Sequence, residues 1–262
     1  YMMLPLFGGN ISGNRIERIK KSANYKEGQF QNLEFTPSFK EGESILGSTC
    51  DYMFKDKDIR VPKQPLPVVK QDLNNLPKEY LLIWFGHSSY LLQIDGKKIL
   101  VDPVFSDNAS PVPGSNKPFP MEYTYTANDF PEIDILIISH DHYDHLDYET
   151  IEAMKSKIKQ VVCGLGVGAH FESWGFNSMQ ITELDWYEQT TVAGDFKITS
   201  TPARHFSGRK LTRNNTLWTS YVLKTAKYNL FLGGDSGYGK HFKTIGDKFG
   251  PFDLAILENG QY

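Results

Sequence analysis

The amino-acid sequence predicts an α/β (α+β) protein whose β-sheets are covered by helices. Short apolar, β-rich segments follow one another from residue 80, and a continuous apolar run near residue 135 leads through a loop into a helical pattern. Strand and helix patterns then alternate to residue 257. Such alternation is typical of sheets layered with helices. The length of 262 residues suits one large domain or two small ones.

The first of these elements form a predicted β-meander. Residues 80–85, 90–94 and 98–101 are apolar and β-rich. The dipeptide Asp95-Gly96 between the last two is a strong signal for a two-residue hairpin turn. We therefore expect three consecutive antiparallel strands.

The remaining elements alternate between strands and helices. Residues 133–139 form an apolar run that ends in polar residues, as a strand buried on both faces would. Residues 148–158 then show helical spacing. Helices are also predicted near 167–174 and 241–248. Further strands are predicted at 160–163, 179–182, 196–201, 218–224, 228–233 and 254–257.

Residues 1–78 are interpreted as an irregular N-terminal arm packed on the core, and residues 79–262 as the main domain. The arm is polar and interrupted by Gly, Pro and Asn, with a short helix predicted near 16–21. Its apolar start, Met2 to Phe7, is interpreted either as a disordered terminus or as a peripheral membrane contact. A signal or anchor preceding Tyr1 would export or anchor the protein, and otherwise a cytoplasmic location is expected.

Composition excludes several classes of function. The chain has 28 Lys and Arg against 31 Asp and Glu, a net charge of −3, so no nucleic-acid partner is expected. Cys50 and Cys163 lie far apart, which predicts neither a disulfide framework nor a thiolate zinc site. The sequence contains no apolar run long enough for a transmembrane helix, no G-x-S-x-G elbow and no phosphate-binding P-loop.

The chemistry is concentrated in one string that follows the predicted strand at 133–139. His140, His142, Asp144 and His145 fall within six residues, in an H-x-H-x-D-H pattern. Such a string arises by chance in roughly three of ten thousand chains of this kind. Clustered imidazoles repel one another when protonated and need partners when buried, and a metal ion supplies that partner. The string therefore predicts metal binding rather than a solvated turn.

One loop cannot surround a cation, so further ligands must come from elsewhere in the chain. His205 and Asp235 are the candidates, because each follows a predicted strand and the latter lies among glycines that allow close backbone approach. A set of His and carboxylate ligands suits one or two zinc ions, and the ligand types leave iron or manganese open.

Four other residues are weaker candidates. His87 could orient a ligand or touch substrate, or it could be a core histidine. Asp102 could close a strand-ending turn, or, by the family resemblance given below, it could accept the spare N–H of a ligand histidine. Asp185 and Trp186 could line the mouth of a site, although an aromatic residue after a strand is more often in a core. His170 and His241 are expected to be surface or packing residues.

These residues resemble the metallo-β-lactamase superfamily, which implies an αββα sandwich with metal bound at the sheet edges. The resemblance implies that His140, His142 and His205 bind one metal, that Asp144 and His145 bind a second, and that Asp235 bridges them. It also implies that residues 79–262 form the hydrolase domain of this fold.

A narrower similarity points to the N-acyl-phosphatidylethanolamine-hydrolysing phospholipase D group and its bacterial relatives. It is carried by residues 84–89 (WFGHSS), 102–106 (DPVFS), 140–147 (HDHYDHLD), 183–186 (ELDW), 205–209 (HFSGR), 234–238 (GDSGY) and 249–254 (FGPFDL). In that group a further His-bearing segment follows the position of Tyr262. We therefore expect the C-terminal part of the sandwich, and the last ligand of the second metal, to be missing from this chain.

The function that the resemblance implies is phospholipase D-like hydrolysis of a small-molecule or lipid phosphodiester. The attacking group would be a metal-bound hydroxide, with Asp144 orienting it or accepting its proton. Two alternatives remain open: a metallo-hydrolase for a lactone or another carbonyl substrate, and a metal-stabilised binding protein without turnover.

Overall fold

The computed structural model describes residues 4–37, 44, 47, 61–77 and 79–259. Met2, Met3 and Cys50 lie outside these residues. In the arm, a helix α1 (Asn14–Lys21) leads into the short strands β1 (Tyr25–Lys26) and β2 (Gln29–Phe30). The two strands pair as an antiparallel hairpin.

The first large sheet carries the sequence motifs of the main domain. Its strands are β3 (Leu81–Gly86), β4 (Ser89–Ile94), β5 (Lys97–Val101), β6 (Ile133–Ile138), β7 (Ile158–Gly164) and β8 (Ile181–Leu184). Within the described chain they form a six-stranded sheet in sequence order. β3, β4 and β5 are antiparallel, whereas β6, β7 and β8 follow in parallel. The helices α2 (Tyr148–Met154) and α3 (Gly168–Ser173) connect the parallel strands.

The second large sheet follows later in the chain. Its strands are β9 (Gln189–Val192), β10 (Phe196–Pro202), β11 (Thr219–Lys224), β12 (Asn229–Leu232) and β13 (Leu254–Ile256), and helix α4 (Lys240–Phe249) joins the last two. The described strands are ordered β13-β12-β11-β10-β9. All pairs are antiparallel except β12 with β13.

Alternating side chains stack these elements into layers. On β11 and β12, Tyr221 and Leu232 face the first sheet, while their neighbours Val222 and Phe231 face the opposite way and pack with Ile245 of α4. This period of two is what strand geometry imposes. Residues of α2 and α3 pack on the outer face of the first sheet. The order helix, sheet, sheet, helix is the predicted αββα sandwich, and this prediction is confirmed.

The element predictions for the main domain are largely confirmed. Asp95 and Gly96 have φ of 47° and 75°, the positive values that a tight hairpin of this kind requires. The helix predicted at 148–158 was too long: α2 ends at Met154, and its continuation is a short 3-10 turn that leads into β7. The strand at 189–192 and the hairpin of β1 and β2 were missed, because they are short and polar.

The start of the arm packs on the core. Phe7 is 6% exposed, the carbonyl of Pro5 accepts a hydrogen bond from Trp174 Nε1–H at 2.8 Å, and that of Leu6 accepts two from Arg209. Each of these contacts spans more than 160 residues. Further along, Ile19 and Phe30 share a buried cluster with Trp218. The described part of the apolar start is therefore docked on the main domain.

No described helix has both the length and the apolar character that crossing a membrane would require.

Candidate metal centre

The predicted ligands meet because of the directions in which their strands run. β3, β5 and β6 point the same way in the first sheet, and β10 and β12 point the same way in the second. Residues just beyond the carboxyl ends of these strands therefore lie at one edge of the sandwich. They are His87, Asp102, the 140–145 loop, His205 and Asp235.

One glycine makes the close approach of the two sheets possible. Gly234 has a φ of +60°, and a Cβ on it would lie 2.7 Å from the Cβ of Ser139. A side chain at this position would push the Asp235 loop away from the 140–145 loop.

The first group of candidate ligands comprises His140, His142 and His205. Nδ1 of His142 lies 2.9 Å from Nε2 of His140 and 3.2 Å from Nε2 of His205. The single lone pair of His142 Nδ1 can accept only one hydrogen bond, so hydrogen bonding cannot satisfy all three nitrogens. A cation at their centre would satisfy them together.

The second group lies beside the first. Donor atoms of His87, Asp144 and His145 lie within 4.8 Å of one another, as do those of His140, His145 and Asp235. Asp235 reaches both groups, with Oδ1 3.2 Å from His145 Nε2 and Oδ2 3.7 Å from His205 Nε2. This position between the groups fits a carboxylate that bridges two ions.

The donor set has the properties of a metal site. Burial lowers the pKa of His140 and of His142, and it lowers the pKa of His205 to about 3, so these imidazoles are neutral at pH 7. Neutral imidazole is the form that binds metal. His145 Nε2 is fully buried and faces the Asp235 carboxylate at 3.2 Å, and the Asp102 and Asp235 carboxylates outweigh burial and raise the pKa of His145 well above its ordinary value. A buried imidazole nitrogen that faces a carboxylate is a position in which a metal ion could replace the proton.

Asp102 fixes the orientation of His145. Its carboxylate is 1% exposed and accepts a hydrogen bond from His145 Nδ1–H at 2.8 Å. It also accepts the Ser139 amide at 2.8 Å and the Ser139 hydroxyl at 2.5 Å. This arrangement holds the proton on Nδ1 and leaves the Nε2 lone pair free for a metal, which is the role that sequence comparison suggested for Asp102.

The 140–145 loop is held by a buried arginine that sequence reasoning missed. Arg209 donates through Nη1 to the carbonyls of Asp141 and Leu146, at 2.9 and 2.6 Å, and its other nitrogens donate to Leu6. The Asp141 carboxylate in turn accepts the Gly208 amide at 2.7 Å. Arg209 itself was noticeable in the sequence, because it lies in the HFSGR segment at 205–209. Its role was not, because its hydrogen-bond partners are far away in the chain.

Asn32 is a second missed residue, and it holds His205 in place. Its side chain donates to the His205 carbonyl at 2.8 Å and accepts the His205 amide at 3.1 Å. It also accepts Trp218 Nε1–H at 3.0 Å. No spacing signal could have identified it, because it is a lone Asn in the irregular arm.

We expect Asn32→Ala to loosen His205. The change removes three hydrogen bonds and leaves partly buried groups unpaired, which should lower the free energy of unfolding by about 1–3 kcal/mol. It should also weaken metal binding several-fold, because the backbone of a ligand is no longer held. Chemical denaturation and zinc competition with a chromophoric chelator measure both. Gln31→Ala is the control and should change the stability by less than about 0.5 kcal/mol. Equal behaviour of the two variants would show that the arm does not position His205.

The structure does not bring Asp185 and Trp186 into the ligand cluster. Asp185 accepts hydrogen bonds from Asn24 and from the Trp186 amide, and so joins the arm to the sheet. Trp186 is 5% exposed and packs edge-on against Trp218. This burial agrees with the core alternative for Trp186.

His170 and His241 are buried rather than at the surface. His170 contacts the Asp141 carboxylate at 3.3 Å, and His241 Nε2 lies 3.0 Å from the Ser236 hydroxyl. Both therefore pack behind the loops that carry the candidate ligands.

The sandwich and its His- and Asp-rich edge define a protein with a metallo-β-lactamase-type fold and a candidate metal centre at the sheet edge. A family model described as "Beta-lactamase superfamily domain" matches residues 97–262. The chain belongs to the metallo-β-lactamase superfamily.

Comparisons with individual proteins agree with this assignment. An uncharacterised protein of Mycobacterium tuberculosis is 39% identical over 93% of this chain and 66% of its own length. The N-acyl-phosphatidylethanolamine-hydrolysing phospholipase D 1 of Caenorhabditis elegans is 32% identical over 78% of this chain and 61% of its own length. The chain thus spans just under two thirds of these relatives.

A solved structure shares the fold. CmlA, a diiron β-hydroxylase from Streptomyces venezuelae, matches with a TM-score of 0.53 and 24% identity, over 69% of this chain and 34% of its own.

Proposed function

We propose that this protein is a zinc-dependent phosphodiesterase that hydrolyses a phospholipid in the manner of a phospholipase D. The observation that carries the proposal is the convergence of three histidines beside a second group of His and Asp donors, in which the buried Nε2 of His145 faces Asp235. Similarity to a curated phospholipase D of C. elegans supports the substrate class. His plus carboxylate ligation favours zinc, and iron and manganese are tested beside it.

Each candidate ligand has a distinct part in the proposed centre. His140, His142 and His205 would hold the first ion, Asp144 and His145 would hold the second, and Asp235 would join them. Bound ions would lower the pKa of a coordinated water towards 7 and neutralise charge that develops on the phosphoryl oxygens.

Asp144 is the carboxylate best placed to act on the attacking water. Burial would raise the pKa of Asp144, but the contact with the His87 side chain and the neighbouring imidazoles outweigh burial and lower this pKa below its usual range. Because its pKa is lowered, Asp144 is ionised at neutral pH. Its side chain is 37% exposed and therefore open to solvent. It can therefore accept a hydrogen bond from a water molecule and orient it towards phosphorus.

Exposed aromatic side chains beside the centre support an amphiphilic substrate. Trp84 is 65% exposed, and its Nε1–H donates to the carbonyl of His87 at 2.8 Å. Phe206 is 41% exposed, and its ring lies 4.5 Å from that of His142. Large exposed aromatics beside a polar centre suit a ligand with acyl chains or a membrane surface. A membrane contact through these residues belongs to the same proposal.

We expect Asp144→Asn to keep at least one bound metal and to lose roughly tenfold or more in kcat. The amide can coordinate weakly, but it cannot accept a proton. Turnover is measured on bis(p-nitrophenyl) phosphate and on vesicles that contain N-acyl-phosphatidylethanolamine, after reconstitution with zinc, iron or manganese. Asp247→Asn on α4 is the control and should retain the wild-type rate.

The same assay separates the alternatives. Turnover of a lactone without turnover of either phosphodiester would replace the proposal with a carbonyl hydrolase. Tight metal binding without turnover of any substrate would favour a binding protein. A wild-type rate in Asp144→Asn would remove this residue from the chemistry.

A further inference from the structure

A short segment of the arm, residues 4–9, lies across the main domain beside the candidate metal centre, and we refer to it as the strap. It contains a 3-10 turn over Pro5–Phe7, followed by two glycines. Phe7 is buried, and its ring meets that of Tyr143 edge-on, with centroids 6.5 Å apart. Tyr143 belongs to the H-x-H-x-D-H string itself, so the strap contacts the loop that carries four of the candidate ligands.

The two glycines let the strap lie directly on helix α3. A Cβ on Gly8 would lie 2.0 Å from Nδ1 of His170, and a Cβ on Gly9 would lie 2.1 Å from the carbonyl oxygen of Ala169. Neither neighbour can move aside easily, because one is a buried ring and the other is helix backbone. A single methyl group at Gly8 would therefore drive the strap away from the helix.

Arg209 connects the strap to the 140–145 loop. Its side chain is buried, and its N–H groups are shared between the two segments. Nε and Nη2 donate to the Leu6 carbonyl, at 3.0 and 2.6 Å, whereas Nη1 donates to the carbonyls of Asp141 and Leu146. These carbonyls supply the hydrogen bonds that a buried charge requires.

The two sides of this connection depend on each other. A guanidinium is planar and rigid, so acceptors at one edge fix the direction of the other edge. The rings of Tyr143 and Trp174 also contact it, with the guanidinium carbon 4.2 and 5.5 Å from their centroids. If the strap left, water would replace the Leu6 carbonyl, and Arg209 could turn towards solvent and release the carbonyls of the loop.

The loop carbonyls held by this arginine lie near the two ends of the ligand string. One belongs to the residue directly after His140 and the other to the residue directly after His145. Between them, the amides of His145 and Leu146 both donate to the His142 carbonyl, at 3.1 and 2.8 Å. Four candidate ligands therefore depend on one tight turn whose ends are held by a single side chain.

We propose that the strap is a positioning element of the candidate metal centre and that it acts through Arg209. The proposal rests on the metal centre proposed above, and it assigns a part of the arm to that centre. A docked strap keeps the 140–145 loop in the conformation that brings its ligands together. Without the strap, only a fraction of the molecules would hold the loop in that conformation, and the apparent metal affinity would fall by that fraction.

The test displaces the strap with one methyl group. Gly8→Ala introduces the clash with α3. Gly28→Ala is the matched control, because its φ is also positive, +80° against +69°, but a Cβ there meets nothing within 4 Å. Hydrogen exchange of the strap amides shows whether the strap has left α3. Exchange of a peptide spanning residues 140–147, in metal-free protein, measures the order of the loop, and competition with a chromophoric chelator measures zinc affinity.

We expect Gly8→Ala to speed exchange in the strap and in the 140–147 peptide roughly tenfold or more, and to weaken zinc binding about tenfold. Gly28→Ala should match wild type in all three measurements, which separates loss of positioning from general backbone strain. Phe7→Ala loosens the strap without a clash and should give the same changes in smaller measure. Thermal melting confirms that each variant is folded.

A double-mutant cycle tests whether the effect passes through Arg209. Arg209→Lys alone should weaken zinc binding, because Lys lacks the planar fork that joins the strap to the loop. Adding Gly8→Ala to Arg209→Lys should then weaken zinc binding little further, since the connection is already broken.

Three results would overturn the proposal. The first is a strap that exchanges freely while loop exchange and zinc affinity stay at wild-type values. The second is additive loss of zinc affinity in the cycle, and the third is a strap that stays protected in both Gly8→Ala and Phe7→Ala. His142→Ala separates these failures from failure of the metal centre. Equal zinc affinity in His142→Ala and wild type would refute the centre, and exchange of the metal-free loop would still decide whether the strap holds it.

Discussion

His140→Ala is expected to abolish binding of the first metal and to lower turnover at least about 100-fold. Its imidazole is 1% exposed and meets the ring nitrogen of His142 at 2.9 Å, so no other side chain can move in to replace it. Loss of one ligand leaves His142 and His205 as an incomplete set, which binds an ion weakly. Metal content by mass spectrometry and kcat/KM on a soluble phosphodiester are the measurements.

The increase in Tm on adding zinc gives a reading that does not depend on substrate. A ligand that binds only the folded state stabilises it, so the wild type should melt higher with zinc and His140→Ala should show a much smaller shift. His241→Ala serves as the control, because His241 is a buried histidine that contacts Ser236 rather than the ligand cluster. Retained metal and unchanged turnover in His140→Ala would refute the site assignment.

Asp102→Asn is expected to disable His145 without changing the shape of the core. The carboxylate accepts three hydrogen bonds, from His145 Nδ1–H and from the amide and hydroxyl of Ser139. The Asn side chain has one acceptor oxygen and one NH₂ donor. Its NH₂ group must therefore face at least one of the donors that the carboxylate now accepts. If the amide nitrogen faces His145, the imidazole proton moves to Nε2 and blocks the atom that would bind metal.

We expect this change to weaken the second metal about 10–100-fold and to lower the free energy of unfolding by about 1–3 kcal/mol. Asn suits the backbone at this position, where φ is +42°. Metal competition and urea denaturation measure the two effects. Asp134→Asn, in β6 but away from its carboxyl end, is the matched control. Wild-type affinity for both metals in Asp102→Asn would mean that the Asp102 carboxylate does not orient His145.

Predictions from sequence succeeded where the information was local. The Asp95-Gly96 turn and the strands of the main domain were identifiable from residues that adjoin one another, because turn geometry and strand alternation are short-range properties. The layering of sheets with helices could be predicted because strands and helices alternate along the chain, and the family resemblance supplied the αββα order. The polar strand at 189–192 was missed because neighbouring strands, rather than its own composition, hold it in the sheet.

The same distinction applies to the candidate centre. The H-x-H-x-D-H string, His205 and Asp235 were identifiable because ligand chemistry restricts residue type and because each follows a strand. Trp186 could not be placed with certainty from sequence, since an aromatic residue after a strand is more often in a core but can also line the mouth of a site. Its burial against Trp218 depends on the arm, whose course the sequence does not specify.

By itself, the sequence determined an α/β fold of sheets covered by helices and the residue types that could hold metal, because periodicity and ligand chemistry are written in neighbouring residues, and the family resemblance added the αββα order. Only the tertiary structure decided which distant groups support them: Asn32 beside His205, Leu6 and Arg209 beside the 140–145 loop, and His87 beside Asp144. These contacts join residues separated by dozens to some two hundred positions. Their partners are set by the directions in which the strands run and by how the arm closes over the sheet edge, and no local pattern encodes either.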